Sequence, residues 1–417
     1  MAMPAPNDLQ ALLADLTSAV QGYSTSPDLN GYMSRINIIE KAKQITQSLI
    51  PAEQLPYYHG LHMAESVAIR TFIKLKVLEA IPETGSISLQ ELSRATGAQD
   101  SLLERMGRIL VAVGFLNQTR DNGGDYMHTK YSLGYITSRP GPALSTPPYL
   151  YTGRYDEWFK NMYNFDDYLV ARNQLSSAHE PDDPLNNPYT WSHKQDGTPV
   201  WAIMAQDPEK IQTFQVGMSG LDVAIPVTGH FDFNLLKSTP ADVEKGITEL
   251  VDVGGGVGVC LKQITDAYPA LDKTKCVLQE RKDVIEMAEA NNEVPEDFVK
   301  MEHDFRTEQP IKGAKAYFFR MIMHDYADPV CINILSHISR AMSPDSRVLV
   351  CDMVLPQRAN EATFGAVVMD QAVMTMGGKE RTEAGFKLLF EGAGIELVQV
   401  WRAPGVPGAC VEGRLKR

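Results

Sequence analysis

No apolar run in the 417 residues approaches the ~18 consecutive positions a membrane-spanning helix needs. The opening MAMPAPNDLQ also lacks the basic stretch and apolar core of a secretory signal. A soluble, cytoplasmic protein is expected. Cysteine is scarce: the five, at 260, 276, 331, 351 and 410, are odd in number, scattered and mostly set in apolar segments. They read as reduced core residues, so neither a disulfide framework nor a metal site is expected. An excess of positive charge is missing too. With a net charge of −13 the chain is poorly suited to nucleic acid, because phosphate binding needs a concentrated basic face. Internal repeats and low-complexity tracts are likewise absent.

What is present centres on residues 250–259, LVDVGGGVGV, an apolar run that breaks into glycines and resumes as the helically spaced CLKQITDAY. This predicts a buried strand, a tight turn and a helix N-terminus. Glycines at 254, 256 and 258 would let backbone approach a ligand closely. A dinucleotide fingerprint would need glycine at 259, where Val259 stands, which disfavours a nicotinamide dehydrogenase. The D-x-G-x-G-x-G turn, with Asp252 just inside it, instead resembles the S-adenosylmethionine (SAM) sites of Rossmann-like methyltransferases. Glu280, at the end of the next apolar segment KCVLQE, is placed to take ribose hydroxyls.

The rest of the chain falls into two expected parts. Residues 1–140 read as a helical dimerisation and winged-helix domain: helices over 8–21, 31–49 and 61–81, two short helices, then a hairpin turning at Asn122-Gly123-Gly124. The N-terminal helices are amphipathic and suggest a homodimer. A winged helix often binds DNA, but over residues 100–114 Arg105 and Arg108 face Asp100 and Glu104, poor footing for phosphates. Residues 141–417 open with a proline-rich stretch and a helical region dense in aromatics and methionines, interrupted by an expected surface loop at 178–193. From about 245, strands and helices alternate to the end. That rhythm predicts an α/β fold, a mostly parallel sheet covered on both faces, with the Rossmann-like core at 245–417.

Ligands bind at the carboxyl ends of such strands. Asp304 and Phe305 follow one apolar run, offering an acid for an adenine amine and a ring beside it. His324 and Asp325 follow AYFFRMIM, Asp352 follows RVLVC, and Glu380 lies in the GGKER turn. A histidine with carboxylates near it is the constellation of a general base. For an acceptor molecule the candidates are Trp201, Phe214 and Met218 from the helical region, with Met323 and Asp325 beside the histidine.

The run AYFFRMIMHDYADPVCINILSHISRAM, the following VLVCDMVLP, and GGKERTEAGFKLLFEGAG resemble the plant and fungal class of SAM-dependent small-molecule O-methyltransferases. The likeness runs from about residue 30 to the end. It implies a homodimer with an N-terminal winged-helix dimerisation domain and SAM or S-adenosylhomocysteine (SAH) as cofactor. It further implies His324 as base, flanked by Asp352 and Glu380, with Glu380 orienting the ring. The implied cofactor set is Asp252, Gly254, Gly256, Gly258, Glu280, Asp304, Phe305 and Arg320. The sequence departs from the family at Val257, where threonine is usual, at Glu280 for aspartate, and at Tyr326 for tryptophan.

The expected reaction is methyl transfer to a phenol or enol hydroxyl of a small, aromatic or polyketide-like secondary metabolite of fungal character. The histidine is expected near its ordinary pKa of ~6.5, neutral at pH 7. Some fungal members of the family use the same pocket for pericyclic or dehydration chemistry without consuming SAM, and that alternative stands beside methyl transfer.

Overall fold

The structure, a computed structural model, describes residues 4–137, 142–219, 224–290 and 298–416. It forms two compact units, Met1–Lys160 with Met204–Gly220, and Asn161–Ile203 with Leu221–Arg417. The sequence suggested a change of domain near 140.

In the first unit, α1 (Pro6–Gln21) and α2 (Leu29–Leu49) pack on each other but bury little: Ala19 from α1, Gly31 and Ile36 from α2. The Asp28 carboxylate caps α2 by accepting the Gly31 N–H. The next helix, α3 (Leu55–Lys74), ends earlier than the apolar spacing suggests, because Lys76 adopts a left-handed φ of 55° before a short turn, Val77–Ala80. Its buried face, Ala68, Ile69, Phe72 and Ile73, shares a core with Leu92 of α4 (Leu89–Thr96) and Leu103 and Leu110 of α5 (Asp100–Ala112). Ser88 and Glu91 close a reciprocal cap at the start of α4.

The hairpin that follows pairs β1 (Leu116–Arg120) with β2 (Gly123–His128), and an Ile87–Tyr126 bridge adds a third edge. Arg120 pairs with Gly123, so the turn is Asp121-Asn122, one residue earlier than expected, and the glycines open β2. On α5, Arg108 lies 3.3 Å from Glu104, which removes one of the two cations a nucleic acid would use. Residues 138–141 lie outside the described residues. From there the proline-rich stretch is a helix, Pro142–Gly153, with Pro147 and Pro148 inside it, packed on Pro208–Ser219. Tertiary packing overrides the prolines' local preference there.

The second unit is built on a sheet in the order β5-β4-β3-β6-β7-β10-β9. The strands are β3 (Leu250–Val253), β4 (Cys276–Glu280), β5 (Val299–Glu302), β6 (Ala316–Arg320), β7 (Arg347–Leu355), β9 (Ile395–Arg402) and β10 (Gly408–Leu415); β8 (Arg381–Thr382) adds a short parallel pairing to β7. Strands β3 to β7 run parallel, and β10 lies antiparallel between β7 and β9. Every residue of β3 is buried, as expected for a strand covered on both faces. The connecting helices are α6 (Val259–Ala267), α7 (Lys282–Ala290), α8 (Asp328–Ala341), α9 (Phe364–Met374) and α10 (Glu383–Gly392). One face of the sheet packs Ile334, Leu335 and Ile338 of α8 with Phe386 and Phe390 of α10; the other packs Leu261 and Ile264 of α6 with Phe231 and Phe233.

The expected surface loop at 178–193 is only partly one. Residues 188–192 form a helix, Pro188–Ser192, with Tyr189 fully buried. The Asn187 amide donates to the Met376 carbonyl and the Tyr189 N–H to that of Thr375, so the segment is tied to the GGKER turn.

Candidate active site

The glycine turn leaves β3 at Gly254 and enters α6 at Gly258, with Gly254, Gly256 and Gly258 all at positive φ. A Cβ built on Gly256 would meet nothing within 4 Å, so the space above it is free for a ligand. Gly255, which the spacing did not single out, is needed for another reason. A Cβ there would fall 2.5 Å from Asp252 Oδ2 and from Leu278 Cδ1. Its backbone therefore roofs the carboxylate. Gly256 donates its N–H to Glu280 Oε2 at 3.1 Å, and Arg281 donates its N–H to the other oxygen at 2.8 Å, fixing the carboxylate at the end of β4.

Asp252 is buried, and its Oδ2 has no hydrogen-bond partner among the described residues. Burial and the neighbouring Glu280 raise its pKa to about 7, against the pull of Arg320. The Glu280 carboxylate, held beside the free space over Gly256 with the buried Asp252 charge beneath the turn, fits a group that brings ribose hydroxyls. Phe305 and Ile322 close over Gly254, and Phe305 meets Tyr326 edge-on at 6.0 Å. The structure thus brings Asp252, the glycines, Glu280, Phe305 and Arg320 into one neighbourhood. Arg320 also donates to the Ile225 carbonyl at 2.8 Å, which ties the start of the segment after 223 to the strand end. Asp304 is committed to Arg306 through two contacts, 2.9 and 2.7 Å, which hold its pKa below the ordinary carboxylate value.

Past β6 the chain turns sharply. Met321 takes a left-handed φ of 55°, a single 3-10 turn, Met323–Asp325, follows, and α8 begins with Asp328-Pro329 in its first turn. This short segment carries His324, which is 4% exposed. Its Nδ1 lies 2.8 Å from Oε1 of Glu380, itself 2% exposed, and its Nε2 lies 3.4 Å from Asp325 Oδ1. Asp352 on β7 is buried with both carboxylate oxygens lacking a partner among the described residues. Burial alone would depress the imidazole pKa, but Glu380, Asp325 and Asp352 outweigh it and raise it to about 10. The expected ordinary value is therefore corrected. Burial likewise lifts Asp352 to about 7 and Asp325 to about 6, with His324 opposing in both cases.

Residues not singled out from the sequence hold this group in place. A Cβ on Gly378 would lie 2.2 Å from the His324 carbonyl, and the Lys379 N–H donates to that carbonyl at 2.8 Å. Asp370 on α9 accepts the Glu380 N–H at 3.0 Å. Arg381 donates to the carbonyls of Met323 and Tyr326. None of these carries a sequence signal beyond lying in or near the GGKER turn.

The expected acceptor set divides. Asp325 stands beside the imidazole, and the Met323 side chain is fully buried in the core with Val251, Val350 and Cys331. Trp201 belongs to the second unit. Phe214 belongs to the first, where it packs edge-on against Trp158 at 6.1 Å. The side chain of Met218 lies outside the described residues.

One further cluster, His230, Cys351 and Cys410, is the only group of metal-ligating type among the described residues. Its geometry is that of a satisfied histidine: Nδ1 accepts the Phe231 N–H, so the ring proton sits on Nε2, 2.7 Å from the Pro226 carbonyl and 3.2 Å from Cys351 Sγ. No imidazole lone pair then faces the sulfurs. Burial pushes the Cys351 thiol well up, and all five cysteines are free.

A parallel sheet with a glycine turn after its central strand β3, and a buried histidine–acid group after the adjoining strand, defines a class of SAM-dependent methyltransferases. Residues 181–396 match the model of the O-methyltransferase domain, and residues 58–138 that of the O-methyltransferase dimerisation domain. The chain belongs to the O-methyltransferase family. Its relatives include methyltransferase cfoD of Aspergillus candidus, 31% identical over 97% of this chain and 98% of that one, and O-methyltransferase hmp5 of Hypomyces subiculosus, 33% identical over 83% of each. Among solved structures, OxaC matches with a TM-score of 0.82 at 23% identity, covering 98% of this chain and 99% of that one. LepI in complex with SAM matches with a TM-score of 0.75 at 21% identity, covering 98% and 99%. No helix among the described residues is long and apolar enough to cross a membrane.

Proposed function

We propose that this enzyme methylates the hydroxyl of a small phenol or enol of fungal secondary metabolism, with His324 as general base. The observation that carries the reading is the buried His324–Glu380 contact. It directs Nδ1–H at a carboxylate and leaves Nε2 as the nitrogen that handles the acceptor's proton. SAM would be held by Asp252, the backbone of the glycine turn, Glu280, Phe305, Asp304 and Arg320, and it supplies a methyl group already activated as a sulfonium. The protein's own part is alignment, exclusion of water and proton handling. An imidazole raised to about 10 rests protonated at neutral pH, and once it has given up that proton in the alkaline range it is matched to a phenol near ~10, so that transfer from oxygen to nitrogen is nearly balanced. Asp352 and Asp325 stabilise the imidazolium as it forms.

The dimerisation-domain match supports a homodimer. So do the exposed apolar side chains of the N-terminal helices, among them Leu13, Met33, Leu49 and Tyr57. The reaction class is tested by offering a panel of simple phenols and enolic 1,3-diketones with methyl-labelled SAM. One SAH should form per labelled product. A product that accumulates with SAM unconsumed would assign the site to ring-forming or dehydrating chemistry instead.

A further inference from the structure

We infer that Arg381 is a positioning residue for the base: its buried guanidinium grips the backbone of the turn that presents His324 and so fixes where the imidazole stands. The inference rests on the reading of His324 as base. Nη1 donates to the Met323 carbonyl at 2.8 Å and to the Lys379 carbonyl at 3.0 Å. Nη2 donates to the Tyr326 carbonyl at 2.8 Å, and Nε to Asp328 Oδ1 at 2.8 Å. The carbonyls of 323 and 326 bracket His324 and Asp325, so the two residues that meet the proton hang between two points held by one side chain.

The placement is not accidental to the local sequence. Glu380 and Arg381 are consecutive: the first supplies the carboxylate for Nδ1, the second the donors for the turn's backbone. Arg381 also pairs with Val354 of β7, two residues beyond Asp352, which ties the same fork to the strand bearing the third acid. A buried cation needs its donors satisfied or it destabilises the fold. Here one half-exposed carboxylate, Asp328, and three carbonyls satisfy it. Only a planar fork spans acceptors so spread; an ammonium keeps the charge but not the geometry.

The full-length protein saturated with SAH provides the test, with the His324 imidazole followed by ¹⁵N–¹H NMR and assigned by its loss in His324→Ala. In Arg381→Lys, which keeps the charge, the His324 titration midpoint should fall by about one unit or more toward the ordinary histidine value as the Glu380 contact loosens. The Nδ1–H signal should also lose its protection from exchange. In Asp328→Asn, which frees one edge of the guanidinium without touching the carbonyls, the same changes should be smaller. A Lys variant that binds SAH as the parent does and shows an unchanged His324 midpoint and Nδ1–H signal overturns the inference. If that variant fails to fold, Asp328→Asn decides by the same criterion. Failure of the base reading is separate: it shows as His324→Ala retaining methyl transfer in the phenol panel, and the titration is unaffected by that result.

Discussion

Nδ1 of His324 stands 2.8 Å from Oε1 of Glu380, with both side chains almost wholly withdrawn from water. The contact orients the ring and favours its charged form, since a buried carboxylate at hydrogen-bond distance stabilises imidazolium; in the neutral ring it keeps the proton on Nδ1.

His324→Ala is expected to lose roughly 10² to 10⁴ in the rate of methyl transfer, the range for loss of a general base. SAH affinity, measured by calorimetry, should stay near the parent's, because the glycine turn and Glu280 are unaltered. An equal loss in rate and in affinity would point to a structural role.

Glu380→Gln should lose less, roughly tenfold to a hundredfold, because the amide oxygen still accepts from Nδ1–H while the charge is gone. Removing a carboxylate that raises the imidazole pKa must lower it, so the alkaline limb of the rate profile should move toward neutral pH. A limb left in place would mean that Asp325 and Asp352 alone set the value.

Gly256→Arg should abolish cofactor binding while the fold survives. The backbone there is left-handed, φ 58°, costing a non-glycine residue about 1–2 kcal/mol. The side chain then enters the open space that a Cβ finds above the turn. Calorimetry with SAH and a melting curve check both halves; parent-like binding would remove the turn from the cofactor site.

Deleting residues 1–50 should abolish the dimer or its solubility in sedimentation runs. Helices α1 and α2 bury only Ala19, Gly31 and Ile36 among their described residues, too little to justify two amphipathic helices packed on one chain. A well-behaved dimer after the deletion would place the interface elsewhere.

The glycine turn and the alternation of strands and helices were legible because a strand buried on both faces is written as an uninterrupted apolar run, and because a ligand-approaching turn demands glycine. The candidate histidine and acids were legible in part for a similar reason: His324, Asp325 and Asp352 each follow an apolar run, whereas Glu380 was read only from the GGKER turn. What could not be read depends on tertiary contact. Gly255 matters only because Asp252 lies beneath it, and Arg381 only because the 323–326 carbonyls converge on it. The burial of Met323 was not legible either, because one residue's step around a 3-10 turn carries its side chain into the core. The prolines at 147 and 148 signalled a break that packing on Pro208–Ser219 overrides, and the short helix at 188–192 is buried by contacts to residues nearly two hundred positions away.

The most direct measurement is the pH dependence of kcat/KM for methyl transfer at saturating SAM, for the parent and His324→Ala side by side. With the imidazole raised to about 10, the parent's rate should climb as pH rises through the alkaline range, well above ~6.5, as the ring gives up its proton. The variant should be slow and lack that limb. A parent profile already flat above roughly pH 7.5, or the same limb in both proteins, would contradict His324 as a base held charged by Glu380, Asp325 and Asp352.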